Sequence, residues 1–196
     1  MLEQNVGFIG GGRATRIILG GLEKAGRMPG SVVVSDTDNT VLARLKKRFP
    51  RITIAPGDNQ SAASFQDIVF ISVHPPVLKA VAGEIRSRLN PDVTIISLMA
   101  TISIAKLREE LDGIKKILRM SPNAPSIVNA GFNPVAFYGG FTATEKKEVI
   151  ERLSVLGRCP VVEEEKLESY AILTAMGPTY LWFQLYELER LGREFG

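Results

Sequence analysis

The sequence predicts an α/β fold, a doubly wound and mostly parallel sheet, followed by the first helices of an all-α region. Three observations predict it. Short apolar runs alternate with segments of helical periodicity from residue 6 to residue 162. Three glycines, Gly10-Gly11-Gly12, come directly after the first apolar run. From about Glu163 onward the pattern turns to helix only.

Val6-Gly7-Phe8-Ile9 reads as a buried first strand. The glycines after it let the backbone turn tightly and approach a bulky anion with no side chain in the way. Residues 13–24 carry Ile17, Ile18, Leu19 and Leu22 at helical spacing, so the turn opens a helix. A helix N-terminus presents free N–H groups and a partial positive charge to a phosphate. Strand, glycine turn and helix together are the start of a Rossmann-type dinucleotide-binding domain. The spacing is Gly10-x-Gly12-x-x-Thr15, with Thr where a third Gly or Ala is usual. A plain tight turn in another α/β domain is the competing reading.

Residues 31–35 (SVVVS) form a second strand and 38–49 a helix with Val41, Leu42 and Leu45 inward, ended by Pro50. A short strand follows at 51–54. Residues 67–73 (DIVFISV) are continuously apolar, as a central parallel strand covered on both faces must be. Helix 77–89 is stopped by Pro91. Strand 93–97, helix 104–111, strand 116–120 and strand 133–138 come next. Thr142 and Glu145 make a capping box for a helix running to Leu156, and 158–162 is a last strand. Residues 166–175 form a helix. Pro178 is expected to start another, with residues 174–180 joining the two. That final helix is apolar nearly all round in its first half and wants burial on more than one side.

At 196 residues the chain holds one full domain and part of another, expected at 1–162 and 163–196. Hydrophobic content of 45% and charged content of 23% suit an ordinary globular protein. Net charge is +3 with scattered basic residues. The one compact run, Lys46-Lys47-Arg48, suits a helix C-terminus better than a nucleic-acid patch. The single Cys159 allows no internal disulfide and fits a reducing compartment. The early first strand leaves no room for a signal peptide, and no apolar run approaches the ~20 residues that span a bilayer. A cytoplasmic protein without nucleic-acid or membrane partners is expected. One His and one Cys argue against a transition-metal site or a His-based triad.

Ligands in open α/β sheets bind outside the carboxyl ends of strands. The second strand ends at Ser35-Asp36. An acid there hydrogen-bonds adenosine ribose hydroxyls and repels an added phosphate. No Arg follows at Thr37, so NADH is expected over NADPH, with Arg13 as the counterweight. Asp36 also reads as a turn or N-cap acid, and the two roles are compatible. Val73-His74-Pro75 ends the fourth strand and should border the cofactor. A histidine can serve as a general acid, but a loop histidine touching cofactor or solvent is the favoured reading of His74. Met99-Ala100 lies at the end of the fifth strand. Asn123 stands between Pro122 and Pro125 at the end of the sixth, its backbone stiffened on both sides.

These segments resemble the pyrroline-5-carboxylate reductase family, which completes proline synthesis. Its F-I-G-x-G-N-M-A turn matches Phe8-Ile9-Gly10-Gly11-Gly12-Arg13-Ala14-Thr15, and its D-N matches Asp58-Asn59. Its V-K-P matches Val73-His74-Pro75, and S-x-A-A-G-[IV]-[ST] matches Ser97–Ser103 in the form Ser-Leu-Met-Ala-Thr-Ile-Ser. Its R-x-M-P-N-T-P matches Arg119-Met120-Ser121-Pro122-Asn123-Ala124-Pro125. Its S-G-S-G-P-A-Y matches Thr174-Ala175-Met176-Gly177-Pro178-Thr179-Tyr180. Order and spacing agree over essentially the whole chain. Departures include His74 for Lys, Arg13 for Asn, Thr101 for Gly and Ala175-Met176 for Gly-Ser.

The resemblance implies hydride transfer from NADPH or NADH to the C=N bond of 1-pyrroline-5-carboxylate. It places Asn59 on the nucleotide with Gly10, Gly11, Gly12, Arg13, Ala14, Ser35, Asp36, Thr37, Val73, His74, Pro75, Met99 and Ala100. Asn123, Ala124 and the Met176-Gly177-Pro178 turn are the candidates for the substrate end. No side chain is assigned as proton donor. The resemblance also implies a homodimer through the C-terminal helices. The family carries a later S-P-G-G-[ST]-[ST] motif that this sequence does not reach, so slow turnover is expected. A reductase of the deazaflavin-linked NADP type and a non-catalytic nucleotide-binding protein are the alternatives.

Overall fold

A computed structural model describes residues 4–196. Seven strands form one sheet in the order β3-β2-β1-β4-β5-β6-β8. They are β1 (Asn5–Ile9), β2 (Ser31–Asp36), β3 (Thr53–Pro56), β4 (Ile68–Ile71), β5 (Thr94–Ser97), β6 (Lys116–Met120) and β8 (Val135–Phe137). All neighbours pair in parallel except β6 and β8, which run antiparallel with Leu118 opposite Phe137. The order reverses between β1 and β4, so a crevice opens at their carboxyl ends. A separate pair joins β7 (Gly131–Phe132) to β9 (Gly157–Arg158).

Each sheet face buries its own core. Helices α1 (Arg13–Lys24), α2 (Asn39–Arg48) and α6 (Ala143–Leu153) cover one face. There the rings of Phe8 and Phe70, on adjacent strands, stack with centroids 4.6 Å apart. Helices α3 (Asn59–Ala63), α4 (Leu78–Ile85) and α5 (Ile104–Glu110) cover the other. The inward set expected on α2 is found, with Leu42 and Leu45 buried and Val41 half-buried. The basic run at its end caps the chain reversal: Lys46 Nζ donates to the carbonyls of Pro50 and Ile52, at 3.0 and 2.6 Å. The capping box at Thr142 and Glu145 forms as expected.

Several local expectations are corrected. The strand expected at 67–73 ends at Ile71, because Ser72 and Val73 turn toward the glycines. The helix expected at 77–89 opens with a 3₁₀ turn at Pro75–Val77 and ends at Ile85. The strand expected at 133–138 shortens to β8, and the unexpected β7 just before it belongs to the other sheet. Asn133 separates them, its backbone N–H donating to Arg158 O. The strand expected at 158–162 reduces to β9 and one bridge between Val135 and Val161. Helix α3 carries no apolar periodicity that would announce it; the Asp58 side chain caps it by accepting from Ser61 N at 2.9 Å.

The break between helices expected at residues 174–180 is absent. Helix α7 (Leu167–Ala171) passes through a π-turn at Ile172–Met176 into α8 (Gly177–Phe195) without interruption. The wider π-turn makes room for the Pro178 ring, while the missing Pro178 N–H leaves the Thr174 carbonyl without its α-helical donor. Helix α8 has no buried residue: Tyr180, Trp182 and Phe183 are each about two-thirds exposed. No helix among the described residues is long and apolar enough to cross a membrane.

Candidate functional site

Parallel strands place all their carboxyl ends on one edge, and the residues singled out by sequence from Gly10 to Ala124 follow those strand ends, whereas Met176–Pro178 lie in the C-terminal helix. The glycine turn sits at the reversal between β1 and β4. Gly10 adopts φ +98°, and a Cβ there would lie 2.5 Å from Ser72 O. Only glycine fits, because both the conformation and the approach to the β4 end exclude a side chain. Gly12 differs: φ is −69°, and a Cβ would meet nothing within 4 Å. The space over Gly12, at the N-terminus of α1, is open to a ligand. That is the fit expected of a pyrophosphate cradle.

The unusual third position is put to use. Thr15 is fully buried, and its hydroxyl donates to Gly10 O at 2.5 Å and shares a hydrogen bond with Ser72 Oγ at 2.9 Å. Alanine would fill that space without tying the turn to the end of β4. Ser72 is a residue that the sequence motifs do not single out. A hydroxyl directly after a buried strand end is the signal that marks it.

Asp36 is the turn acid expected, and it also braces the glycine turn. Oδ1 accepts from Asp38 N at 2.8 Å, as a turn acid does. Oδ2 accepts from Gly11 N at 2.7 Å, which holds the carboxylate beside the glycine turn, where an adenosine ribose would lie. Ser35, fully buried, donates to Asn59 Oδ1 at 2.7 Å, and Asn59 Nδ2 donates to Glu84 Oε2 at 2.7 Å. Asn59 is thus fixed from both sides. Glu84, on α4, is a supporting residue that sequence spacing gives no means of finding.

A groove of about 570 Å³ runs from Gly11 and Gly12 between α1 and α2. Leu45, Phe49 and Ile127 line it together with Arg13, Arg16, Arg44 and Arg48. Arg48 pairs with Glu23 at 2.6 Å. The other three make no ion pair among the described residues, so the groove favours anions.

Val73 packs against the glycine turn, 3.2 Å from where a Gly10 Cβ would stand. His74 is exposed and precedes the Pro75–Val77 turn; Thr37 is exposed beyond Asp36. At the β5 end the Met99 side chain belongs to the core, whereas Ala100 is exposed. Asn123 is buried with its amide committed. Oδ1 accepts from Phe132 N at 3.0 Å and Nδ2 donates to Thr174 O at 3.2 Å. Asn133, which no motif singles out, steadies the same loop by accepting from Asn123 N and Ser126 Oγ. Ala124, Met176 and Pro178 are exposed nearby in sequence to these contacts, and Gly177 is half-buried.

A parallel sheet reversing at β1 and β4, with a glycine turn, an open helix N-terminus and an acid at the β2 end, defines a nicotinamide-dinucleotide-binding oxidoreductase domain. Residues 5–101 match the family model described as "NADP oxidoreductase coenzyme F420-dependent". Pyrroline-5-carboxylate reductase of Escherichia coli (strain K12) is 30% identical over 182 residues, covering 92% of this chain and 67% of the relative. Pyrroline-5-carboxylate reductase 1 of Bacillus spizizenii is 22% identical, over 99% of this chain and 65% of its own. The chain therefore belongs to the pyrroline-5-carboxylate reductase family, and spans about two thirds of the length of these relatives. Among solved structures, the Coxiella burnetii pyrroline-5-carboxylate reductase superposes with TM-score 0.84 at 25% identity, over 98% of this chain and 72% of that one. The Plasmodium falciparum enzyme, solved with NADP bound, gives TM-score 0.82 at 22% identity, over 100% and 71%.

Proposed function

We propose that this chain is an NAD(P)H-dependent reductase that reduces the C=N bond of 1-pyrroline-5-carboxylate to give L-proline. The observation that carries the reading is the open space over Gly12 at the crevice between β1 and β4, in a chain of this family. When bound, the nicotinamide supplies a hydride to the imine carbon; a proton from solvent completes the amine nitrogen. The chain's residues bind and orient. The α1 N-terminus holds the pyrophosphate. Gly10, Gly11, Arg13, Ala14, Ser35, Asp36, Thr37 and Asn59 surround the adenosine half. Val73, His74, Pro75, Met99 and Ala100 border the nicotinamide half. Asn123, Ala124 and the segment Met176–Pro178 form the substrate end, with Asn123 fixing the position of its neighbours through its committed amide.

The cofactor of this reading is NADH. Its support is the Asp36 carboxylate, held at the turn by Gly11 N, where a 2′-phosphate would meet a negative charge at short range. Arg13 and Arg44 oppose it, but they are exposed, and solvent weakens their pull. The reading includes a homodimer formed through α8 and a cytoplasmic location, the latter supported by a lone, buried cysteine.

Following NADH and NADPH oxidation with 1-pyrroline-5-carboxylate tests the proposal. Substrate-dependent oxidation, faster with NADH, is expected. A chain that binds dinucleotide but oxidises none with this imine would favour the nucleotide-binding, non-catalytic reading. Oxidation only with a deazaflavin, or with a different small imine or a carbonyl compound, would favour the related reductase.

A further inference from the structure

Arg119 lies near the end of β6 with its side chain only 7% exposed. A charge withdrawn from water in a central strand needs partners. Nη1 donates to Glu164 Oε1 at 2.8 Å, and Nη2 donates to the carbonyls of Met99 and Ala100. The same Glu164 oxygen accepts from Ile104 N, the first residue of α5, at 2.6 Å. One ion pair thus fastens both ends of the loop between β5 and α5. It also fastens that loop to residue 164, where the chain has left the sheet and approaches α7.

We propose that Arg119 and Glu164 are positioning residues that hold the Met99–Ala100 backbone against the nicotinamide half of the dinucleotide. The inference rests on the dinucleotide reading under Proposed function. Neither side chain touches the cofactor in this arrangement; both act through the loop. The adenosine half and the pyrophosphate are held at the glycine turn, two strands away across β4, and do not depend on the pair. A role confined to general stability would affect both halves of the ligand alike. A positioning role falls on the nicotinamide half alone.

Calorimetry with two probes separates these. NADH carries the nicotinamide; ADP-ribose keeps the pyrophosphate and both riboses but lacks the ring. Glu164→Ala should weaken NADH by about tenfold and leave ADP-ribose within about twofold, the scale expected when one well-placed hydrogen bond at the nicotinamide end is removed. Glu164→Gln should recover most of the NADH affinity, because its carbonyl oxygen can still accept from Ile104 N and Arg119. If Glu164→Ala does not fold, Arg119→Lys decides: it keeps the charge opposite Glu164 but loses the fork that also reaches the two carbonyls. The same selective loss is expected. Equal weakening of both probes, or unchanged NADH affinity in a folded variant, overturns the inference. A wild-type chain that binds neither probe overturns the dinucleotide reading itself, which is a different result from a loss confined to the variants.

Discussion

Asn123 Nδ2 donates to the carbonyl of Thr174 at 3.2 Å, joining the loop after β6 to the π-turn before α8. Thr174 stands four residues before Pro178, whose nitrogen carries no hydrogen, so this carbonyl has no ordinary α-helical donor. The side chain of a distant asparagine supplies one. Because Asn123 Oδ1 also accepts from Phe132 N, the amide cannot be reversed without losing both bonds. Asn123→Asp puts an acceptor opposite the Thr174 carbonyl. It should cost about 1–3 kcal/mol of stability, read as a lower urea midpoint at unchanged slope. An unchanged midpoint would mean that the two segments are not coupled.

Gly10 and Gly12 should respond in opposite ways. At Gly12 a side chain has room and the backbone is extended, so Gly12→Val should fold normally and lose dinucleotide affinity by at least about a hundredfold. At Gly10 even one methyl meets Ser72 O, and φ is positive. Gly10→Ala should therefore lower the melting temperature markedly before any question of binding arises. Thermal melts paired with calorimetric titrations check both. Full affinity in a folded Gly12→Val variant would remove the glycine turn from the binding site.

Asp36 sets the expected cofactor preference. Asp36→Ser removes the carboxylate near the ribose and releases Gly11 N–H. The ratio of NADPH to NADH affinity should rise by about tenfold or more, with Arg13 and Arg44 then unopposed. Fluorescence titration of the two reduced dinucleotides measures it. A wild-type preference for NADPH that Asp36→Ser leaves unaltered would show that the arginine-lined groove governs the choice.

The pH dependence of stability should carry a contribution from Glu145. A hydrogen bond from Lys116 Nζ at 2.7 Å, followed by the Thr142 backbone and hydroxyl donors, holds its carboxyl down to about 2, against an ordinary value of 4.5. A native pKa below the unfolded one means that the charged form is the one stabilised. The contribution is complete above 4.5 and is lost as pH falls from there toward about 2. Glu145→Gln should flatten the wild-type decline in unfolding midpoint over that window. Identical slopes in the two proteins would contradict the assignment.

Helix α8 should mediate self-association. Leu181, Trp182, Phe183, Leu185 and Leu188 are all more than half exposed in the single chain. Patches above a few hundred Å² on soluble proteins commonly mark interfaces. Light scattering should give a mass above that of one chain, and Phe183→Glu should reduce it. A single-chain mass at high concentration, with Trp182 emission characteristic of an indole in water, would refute this.

The amino-acid sequence by itself determined the alternation of strands and helices, the glycine turn and the acid at the β2 end. Each depends on local chemistry: side-chain periodicity, glycine's freedom at Gly10, and capping by Thr142. Arg119 is visible in the run Lys116–Met120 as a charge that needs a partner, but nothing marks Glu164 among the acids 163–165 as that partner. The Gly177-Pro178 pair reads locally as a break, and the structure instead continues the helix through it. Thr15 with Ser72, Arg119 with Glu164 and Asn123 with Thr174 meet across 57, 45 and 51 positions of chain. Such pairings exist only once the sheet order is set, because a residue's hydrogen-bonding capacity is written in its type while the identity of its partner is fixed by which chain ends the packed strands bring to the same edge.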